Sequence, residues 1–287
     1  ESSGPALSDP ESVGAENDDN AIVVTGTRIR GARVVGEVIS LDREAIVEAG
    51  QIDLGEALRS IPQNFSGGQN PGVGSGAGLG NDNVNSASSA NLRGLGPDAT
   101  LTLLNGHRLP YNSAYQGVDI SAIPLAAVDR IELVPDGASA LYGSDAVGGV
   151  INVILRRDFE GLTTSAQLGT STDGGYFRQQ FDLVGGTVWS DGGMMVAYDF
   201  ANNSQITADQ RPYTSSLDPD VTLYPEMRRH AVTFAAHQDL APGFRIALDG
   251  LYSRRRSSDV NGSPVFRIMR NPNLDGYALA PSVEIDV

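Results

Sequence analysis

With a formal net charge of −15 at pH 7 over 287 residues, the chain repels nucleic-acid phosphates, and nonspecific nucleic-acid binding is excluded as a function class. It has no cysteine, which removes disulfides, thiolate nucleophiles and cysteine-ligated metals. Aromatic residues make up only 6% while Gly contributes 34 residues and Pro 15, which implies many turns and little helix; no apolar run of about 18 residues could form a membrane helix, although a membrane-crossing strand needs only about 9–11.

Residues 1–20 carry acidic side chains and no basic ones among Ser, Gly, Pro and Asn, the composition of a disordered acidic leader. The chain does not open on a basic and apolar signal segment, so its first residue is compatible with a mature start. Ile22, Val23, Val24 and Thr25 then form a short β-prone run. It reads either as an edge strand that adds to a partner's sheet or as the first strand of the domain that follows. Val34–Ile39 reads as a strand, and Asp42–Ala49 as a short helix with Asp42 as cap. A second helix fits Asp53–Ile61, with a capping-box offset between Asp53 and Glu56 and Pro62 as its stop. Residues 64–91, rich in Gly, Asn and Ser, read as a long loop. Ala99–Leu104 and Arg108–Leu109 flank an Asn105-Gly106 hairpin turn. The run from Ala126 to Gly161 places a Gly/Ala-rich turn region between two β-branched strands, Asp129–Val134 and Gly149–Leu155.

Beyond Gly161 apolar and polar residues alternate, as in Leu162, Thr164, Ala166 and Leu168, in Phe177 to Leu183, in Met194 to Phe200, in Val232 to Ala236 and in Phe244 to Tyr252. Strands with one wet and one apolar face suit a soluble sandwich or a closed barrel in lipid. Short linkers near 185–192 and 239–243 against a long one at 202–229 favour the barrel.

Three strings carry a family likeness: AIVVTGTRIRG at 21–31, ANLRGLGPDATLTLLNGHRLP at 90–110, and IPLAAVDRIELVPDGASALYGSDAVGGVINVILRR at 123–157. Through them the chain resembles the TonB-dependent outer-membrane receptors over nearly everything after the leader. The resemblance implies a mixed α/β plug domain followed by antiparallel transmembrane β-strands of a 22-stranded outer-membrane β-barrel, of which this chain supplies only a part. The expected segments are the leader at 1–20, the TonB box at 21–30, the plug at 31–161 and the N-terminal part of the barrel at 162–287. On the family pattern Ile22, Val23, Val24 and Thr25 bind the C-terminal domain of TonB from the periplasm of a Gram-negative cell. With no domain ahead of them, the chain does not look like a receptor that also signals to a transcription regulator. The implied function is TonB-dependent active transport of a scarce solute, and no enzymatic activity or cofactor is expected. A passive pore and a surface binding scaffold are the rival classes.

Five crossing strands are legible, too few to close a barrel. Residues 254–287, with Pro264, Pro272 and Pro281, are therefore expected outside, and a second polypeptide is expected to supply the remaining strands. For the solute, Asn81, Asp82, Asn83 and Asn85 in the long loop and Tyr111, Asn112, Tyr115 and Gln116 in the next offer amides, a carboxylate and aromatic faces suited to a carbohydrate or glycoside. An iron-siderophore is the alternative, and a surface lipoprotein is a further candidate partner. The oxygens at 81–83 are only part of a calcium set, and no metal site is expected. Arg93, Asp129, Arg130, Glu132, Arg156 and Arg157 are expected in ion pairs between plug and barrel. Arg254, Arg255 and Arg256 are expected at the outer rim against lipopolysaccharide phosphates, with solute attraction as the competing role. His107, His230 and His237 lack metal-ligand spacing, Ser139 lacks a nucleophile elbow, and Gly148-Gly149 lacks the lysine of a phosphate loop.

Overall fold

The computed structural model describes residues 38–64, 71–72, 83, 85–111, 117–135, 139–263 and 265–285. Its first unit runs β1 (Ile39–Asp42), α1 (Arg43–Glu48), α2 (Leu54–Ser60), β2 (Thr100–Leu104), β3 (His107–Arg108), β4 (Val128–Val134), α3 (Ser139–Tyr142) and β5 (Gly149–Leu155). These strands form one sheet in the order β1-β4-β5-β2-β3, in which only β2 and β5 are parallel. Strand β5, GVINVIL, is central and covered on both faces, which is why it reads as an unbroken apolar run. One face of the sheet packs Ile131, Leu133, Ile151 and Val153 with Ile46, Leu54 and Leu58 of the two helices. The other buries Leu101, Leu103, Val134 and Val150 under Ala146.

Local chemistry sets the boundaries. Asp53 caps α2 by accepting the Glu56 N–H at 2.8 Å, and Glu56 reaches back to the N–H of Ile52 at 2.9 Å, one residue beyond the standard capping box. Ile61 is already extended ahead of Pro62. Asp42 occupies the cap position of α1, yet its carboxylate accepts the Ser40 hydroxyl at 3.0 Å and makes no cap bond. Asn105 and Gly106 have φ of 48° and 81°, the two left-handed residues of a tight hairpin turn between β2 and β3. At Gly149 φ is 134°, and a Cβ there would lie 2.6 Å from the carbonyl oxygen of Val134. The close approach of β4 and β5 therefore requires glycine.

The second unit is an antiparallel sheet of β6 (Gly161–Thr170), β7 (Phe177–Trp189), β8 (Gly192–Asn203), β11 (Glu226–Ala241), β12 (Phe244–Ser263), β13 (Phe266–Arg270) and β14 (Asn273–Ile285), with β9 (Ile206–Thr207) and β10 (Thr222–Tyr224) as a small ribbon in the long connection. Turns at 190–191 and 242–243 close one end, while 204–225 and the long β12–β13 hairpin occupy the other. Alternate residues are buried along β8 and β11, and the opposite faces expose Leu162, Leu168, Phe181, Met194, Val196, Ile246 and Leu248. This is an apolar belt outside and a polar face inside.

The expectation that 254–287 lies wholly outside is corrected. Strand β12 continues to Ser263, and β14 returns along it from Arg256↔Asn273 to Phe244↔Ile285, so a further crossing strand ends level with the short turns. Pro281 misleads because β14 carries it opposite Leu248 without a break in its register with β12. The plug core continues into the inner face of the sheet through Val184, Met195, Ala197, Ala235 and Leu251. Replacing Gly149 by Val should destabilise the plug by about 2–4 kcal/mol from combined backbone strain and overpacking. Faster amide exchange in β4 and β5, with β7 and β8 unchanged, is the expected reading.

Candidate functional site: the interface between plug and wall

Three arginine–carboxylate contacts fasten the plug to the inner face of the sheet, beside the apolar contacts described above. The first grows out of the α2 cap. Asp53 and Glu56 each spend one carboxylate oxygen on the cap and offer the other to Arg178 of β7, at 3.0 and 2.9 Å. Arg178 also donates to Gln180 Oε1 at 2.9 Å. One planar guanidinium thus ties both capping carboxylates to the wall, a geometry that lysine cannot reproduce. Burial alone would push the Asp53 carboxyl up, but Arg229, Arg178 and the Glu56 N–H together hold it below the ordinary aspartate value.

Directly below, Asp182 of β7 and Asp199 of β8 face each other across the strands. Their charges are met by Gln180 Nε2, which donates to both at 3.3 and 3.1 Å, and by the Ser165 hydroxyl on Asp182 at 2.9 Å. The fully buried Arg229 of β11 donates to Asp199 at 2.9 and 2.7 Å. Asp199 is thus both paired and hydrogen-bonded, whereas Asp182 is held by hydrogen bonds from Ser165 and Gln180 with no cation in salt-bridge distance among the described residues.

The second contact joins Arg255 of β12 to Asp119, whose other oxygen accepts the Ser88 N–H at 3.0 Å and the Ser121 hydroxyl at 2.7 Å. The third runs in the opposite sense: Arg157, just after β5, donates to Asp249 at 3.2 Å and to Glu284 at 3.5 Å. Plug carboxylates therefore meet wall arginines on the loop-bearing side, and a plug arginine meets wall carboxylates near the short turns.

The residues singled out from the sequence fall in different places. Glu132, 2% exposed, accepts from Arg130 Nε and Nη2 at 2.9 and 2.8 Å, and Asp129 takes the remaining nitrogen at 2.8 Å. That set lies along one plug strand, so these bonds are internal to the plug. Arg93 donates to the carbonyl of Pro135 at 3.4 Å, and Arg156 stacks 4.3 Å above the Phe159 ring. Only Arg157 of the group has an ion pair to the wall among those described here. The rim assignment of Arg255 is corrected: parity turns it inward, it is 4% exposed, and it binds Asp119, whereas Arg254 and Arg256 point outward.

Asn83 and Asn85 are 6% and 8% exposed, and Asn83 clips its own loop through the Ala87 carbonyl at 2.8 Å and the Ala87 N–H at 2.9 Å. Tyr111 keeps an exposed ring while its hydroxyl donates to Asp145 at 2.9 Å, beside Arg108. Burial and that bond both push the phenol up. Asn81, Asp82, Asn112, Tyr115, Gln116 and the run Ile22 to Thr25 lie outside the described residues. Sequence reading missed Arg178, Arg229, Asp199 and Asp249 as contacts, although strand parity places each on the polar face.

A mixed α/β domain seated on the polar face of an antiparallel sheet with an apolar outer belt is the arrangement of a plugged outer-membrane barrel. Residues 31–150 match the TonB-dependent receptor plug domain, the part of the chain that forms the mixed α/β unit. In fold the chain is similar to a variant of the ferric enterobactin receptor PfeA from Pseudomonas aeruginosa, solved with enterobactin, at 18% identity and a TM-score of 0.59, covering 86% of this chain and 39% of that one. The siderophore receptor PirA from Acinetobacter baumannii matches at 18% identity and 0.54, covering 77% of this chain and 32% of that one. The unliganded ferric citrate transporter FecA matches at 16% and 0.53, covering 86% and 44%. The chain thus spans well under half the length of these receptors.

Replacing Arg178 by Met should leave the two cap carboxylates of α2 without their counter-ion, at a cost of about 1–3 kcal/mol. Hydrogen exchange confined to α2 should rise while β4 and β5 stay protected. The native Asp53 carboxyl lies below its unfolded value near 3.9, so its contribution is fully present above that pH and is lost as the pH falls through the lower native value. Asp53→Asn should flatten the acid dependence of α2 protection.

Proposed function

We propose that the protein serves TonB-dependent uptake of a solute across the outer membrane, with a ferric siderophore as the cargo class. The observation that carries the transport reading is the polar seam between plug and wall, Arg178 with Asp53 and Glu56, Arg255 with Asp119, and Arg157 with Asp249. These pairs are buried and costly to break at rest, but their charged groups take up water readily once displaced, so a seam of this kind holds a plug closed yet lets it rearrange when pulled. Apolar contacts through Val184, Met195, Ala197, Ala235 and Leu251 share the seam with these pairs and add to what holds the plug at rest. On this reading Ile22 to Thr25 pair edge-on with the C-terminal domain of periplasmic TonB. Force then enters the plug through β1, an edge strand joined to β4 by the register Ile39↔Leu133 to Asp42↔Arg130.

The cargo class rests on the similar structures, which are receptors or transporters of enterobactin, a siderophore and ferric citrate. The carbohydrate reading drew on an asparagine-rich surface, and its described members Asn83 and Asn85 are buried. Further strands are needed to close the wall, because the edges β6 and β14 would otherwise leave backbone groups unpaired in lipid.

Deleting residues 22–25 from the complete receptor, produced in an outer-membrane host without its own siderophore receptors, should abolish energised uptake of radiolabelled ferric siderophore and leave surface binding intact. Val24→Pro should behave almost like the deletion, and Val24→Thr should be mild. Uptake of the deletion variant at the unmodified rate would refute the coupling role. Energised uptake of a glycoside and not of the iron chelate would refute the cargo class alone.

A further inference from the structure

Strand register orders the outward side chains into rows. Tyr198, Tyr252 and Tyr277 share one row, and Tyr252 donates its hydroxyl to Asp275 at 3.1 Å. Below it the outer face is apolar, with Val196, Phe234 and Leu279 in register. Such a tyrosine row marks the edge of the hydrocarbon layer. The next row toward the loops holds His230, Arg254 and Asp275, with Arg254 Nε 3.6 Å from the Asp275 carboxylate. The row after that brings Arg228 of β11 directly opposite Arg256 of β12. Both are exposed, and neither has a carboxylate within salt-bridge distance among the described residues. Arg228 donates only to the amide oxygen of Asn202 at 3.3 Å.

Like charges set opposite each other in an antiparallel pair are destabilising unless an anion lies between them. The pair stands two rows above the tyrosines, about 13 Å along the strand and about 10 Å along the membrane normal at the usual tilt. Guanidinium groups at that height reach back to the phosphates of the outer leaflet. We propose that Arg228 and Arg256 form a two-arginine clamp for a phosphate of the lipid A part of lipopolysaccharide, flanked by Arg254. Two planar forks facing one phosphate supply bidentate, charge-assisted bonds and cancel the repulsion between the strands. The clamp lies on the opposite face of the sheet from Arg229 and Arg255, so it takes no part in the plug seam.

This inference rests on the strands facing lipid, as the proposed function also requires, and the test separates the two. The complete receptor in detergent is titrated with bisphosphorylated lipid A and with its dephosphorylated form. The unmodified receptor should prefer the phosphorylated lipid, and R228Q/R256Q should lose about tenfold or more of that affinity. Ferric siderophore binding should be unchanged in the variant. Equal affinity of the variant and the unmodified receptor for lipid A, or equal binding of both lipids by the unmodified receptor, overturns the clamp. Absence of the unmodified receptor from the outer-membrane fraction overturns the transport reading as well. If the double variant fails to assemble, R228Q and R256Q singly carry the test, each expected to lower affinity at least about threefold.

Discussion

The constraint on which this structure depends is that a sheet in lipid must turn its polar side chains inward. A strand that presents Met194, Val196 and Phe200 to hydrocarbon necessarily presents Met195, Ala197, Asp199 and Ala201 to the lumen. Carboxylates and guanidiniums that enter this way need partners, and the wall alone does not supply them all. Asp199 finds Arg229 on the next strand, whereas Arg178 and Arg255 find theirs on the plug. The plug therefore completes the electrostatics of the wall at the same time as it fills the space. Its own cap chemistry is shared with the wall, because Asp53 and Glu56 use one oxygen on α2 and the other on β7.

Much of this was legible in the chain and some was not, for reasons that differ by residue. The alternation after Gly161 sorts inside from outside because the strand period is two, and Arg178, Gln180 and Asp182 fall together on that count alone. The α2 cap and the Asn105-Gly106 turn were readable because their bonds are local. What local pattern cannot contain is a partner more than a hundred residues away. Arg178 lies 122 and 125 positions from the two carboxylates it bridges, and nothing near Asp53 signals a second use for its other oxygen. The same limit turned Arg255 the wrong way: a run of three arginines reads as one patch until parity splits it between two faces of the sheet. Glu132 shows the converse: a carboxylate that position alone assigns to the wall accepts two bonds from Arg130, only two residues away.

Every one of the 20 basic residues is an arginine. In the lumen that choice places several directed N–H groups on one planar head, so Arg178 spans two carboxylates and an amide at once. On the outer face the same head, weakly hydrated and permanently charged, suits a crowded anionic surface better than an ammonium would. One residue type thus serves two solvents, separated only by the thickness of a strand.

The length of β12 has a consequence for the loop-bearing side of the sheet. Its 20 residues extend about 65 Å, or about 50 Å along the membrane normal when tilted, roughly twice the height of the apolar band. The upper part is braced: Arg267 grips Asp218 and Asp220 of the long connection at 2.9 and 2.7 Å, and Arg270 pairs with Asp259. Arg211 draws the connection against the β6–β7 loop through the Gly174 carbonyl at 3.1 Å. On this side β12 and the connection braced to it therefore stand well clear of the apolar band. A strand held upright by its own arginine–carboxylate braces keeps its shape above the level at which lipid supports it.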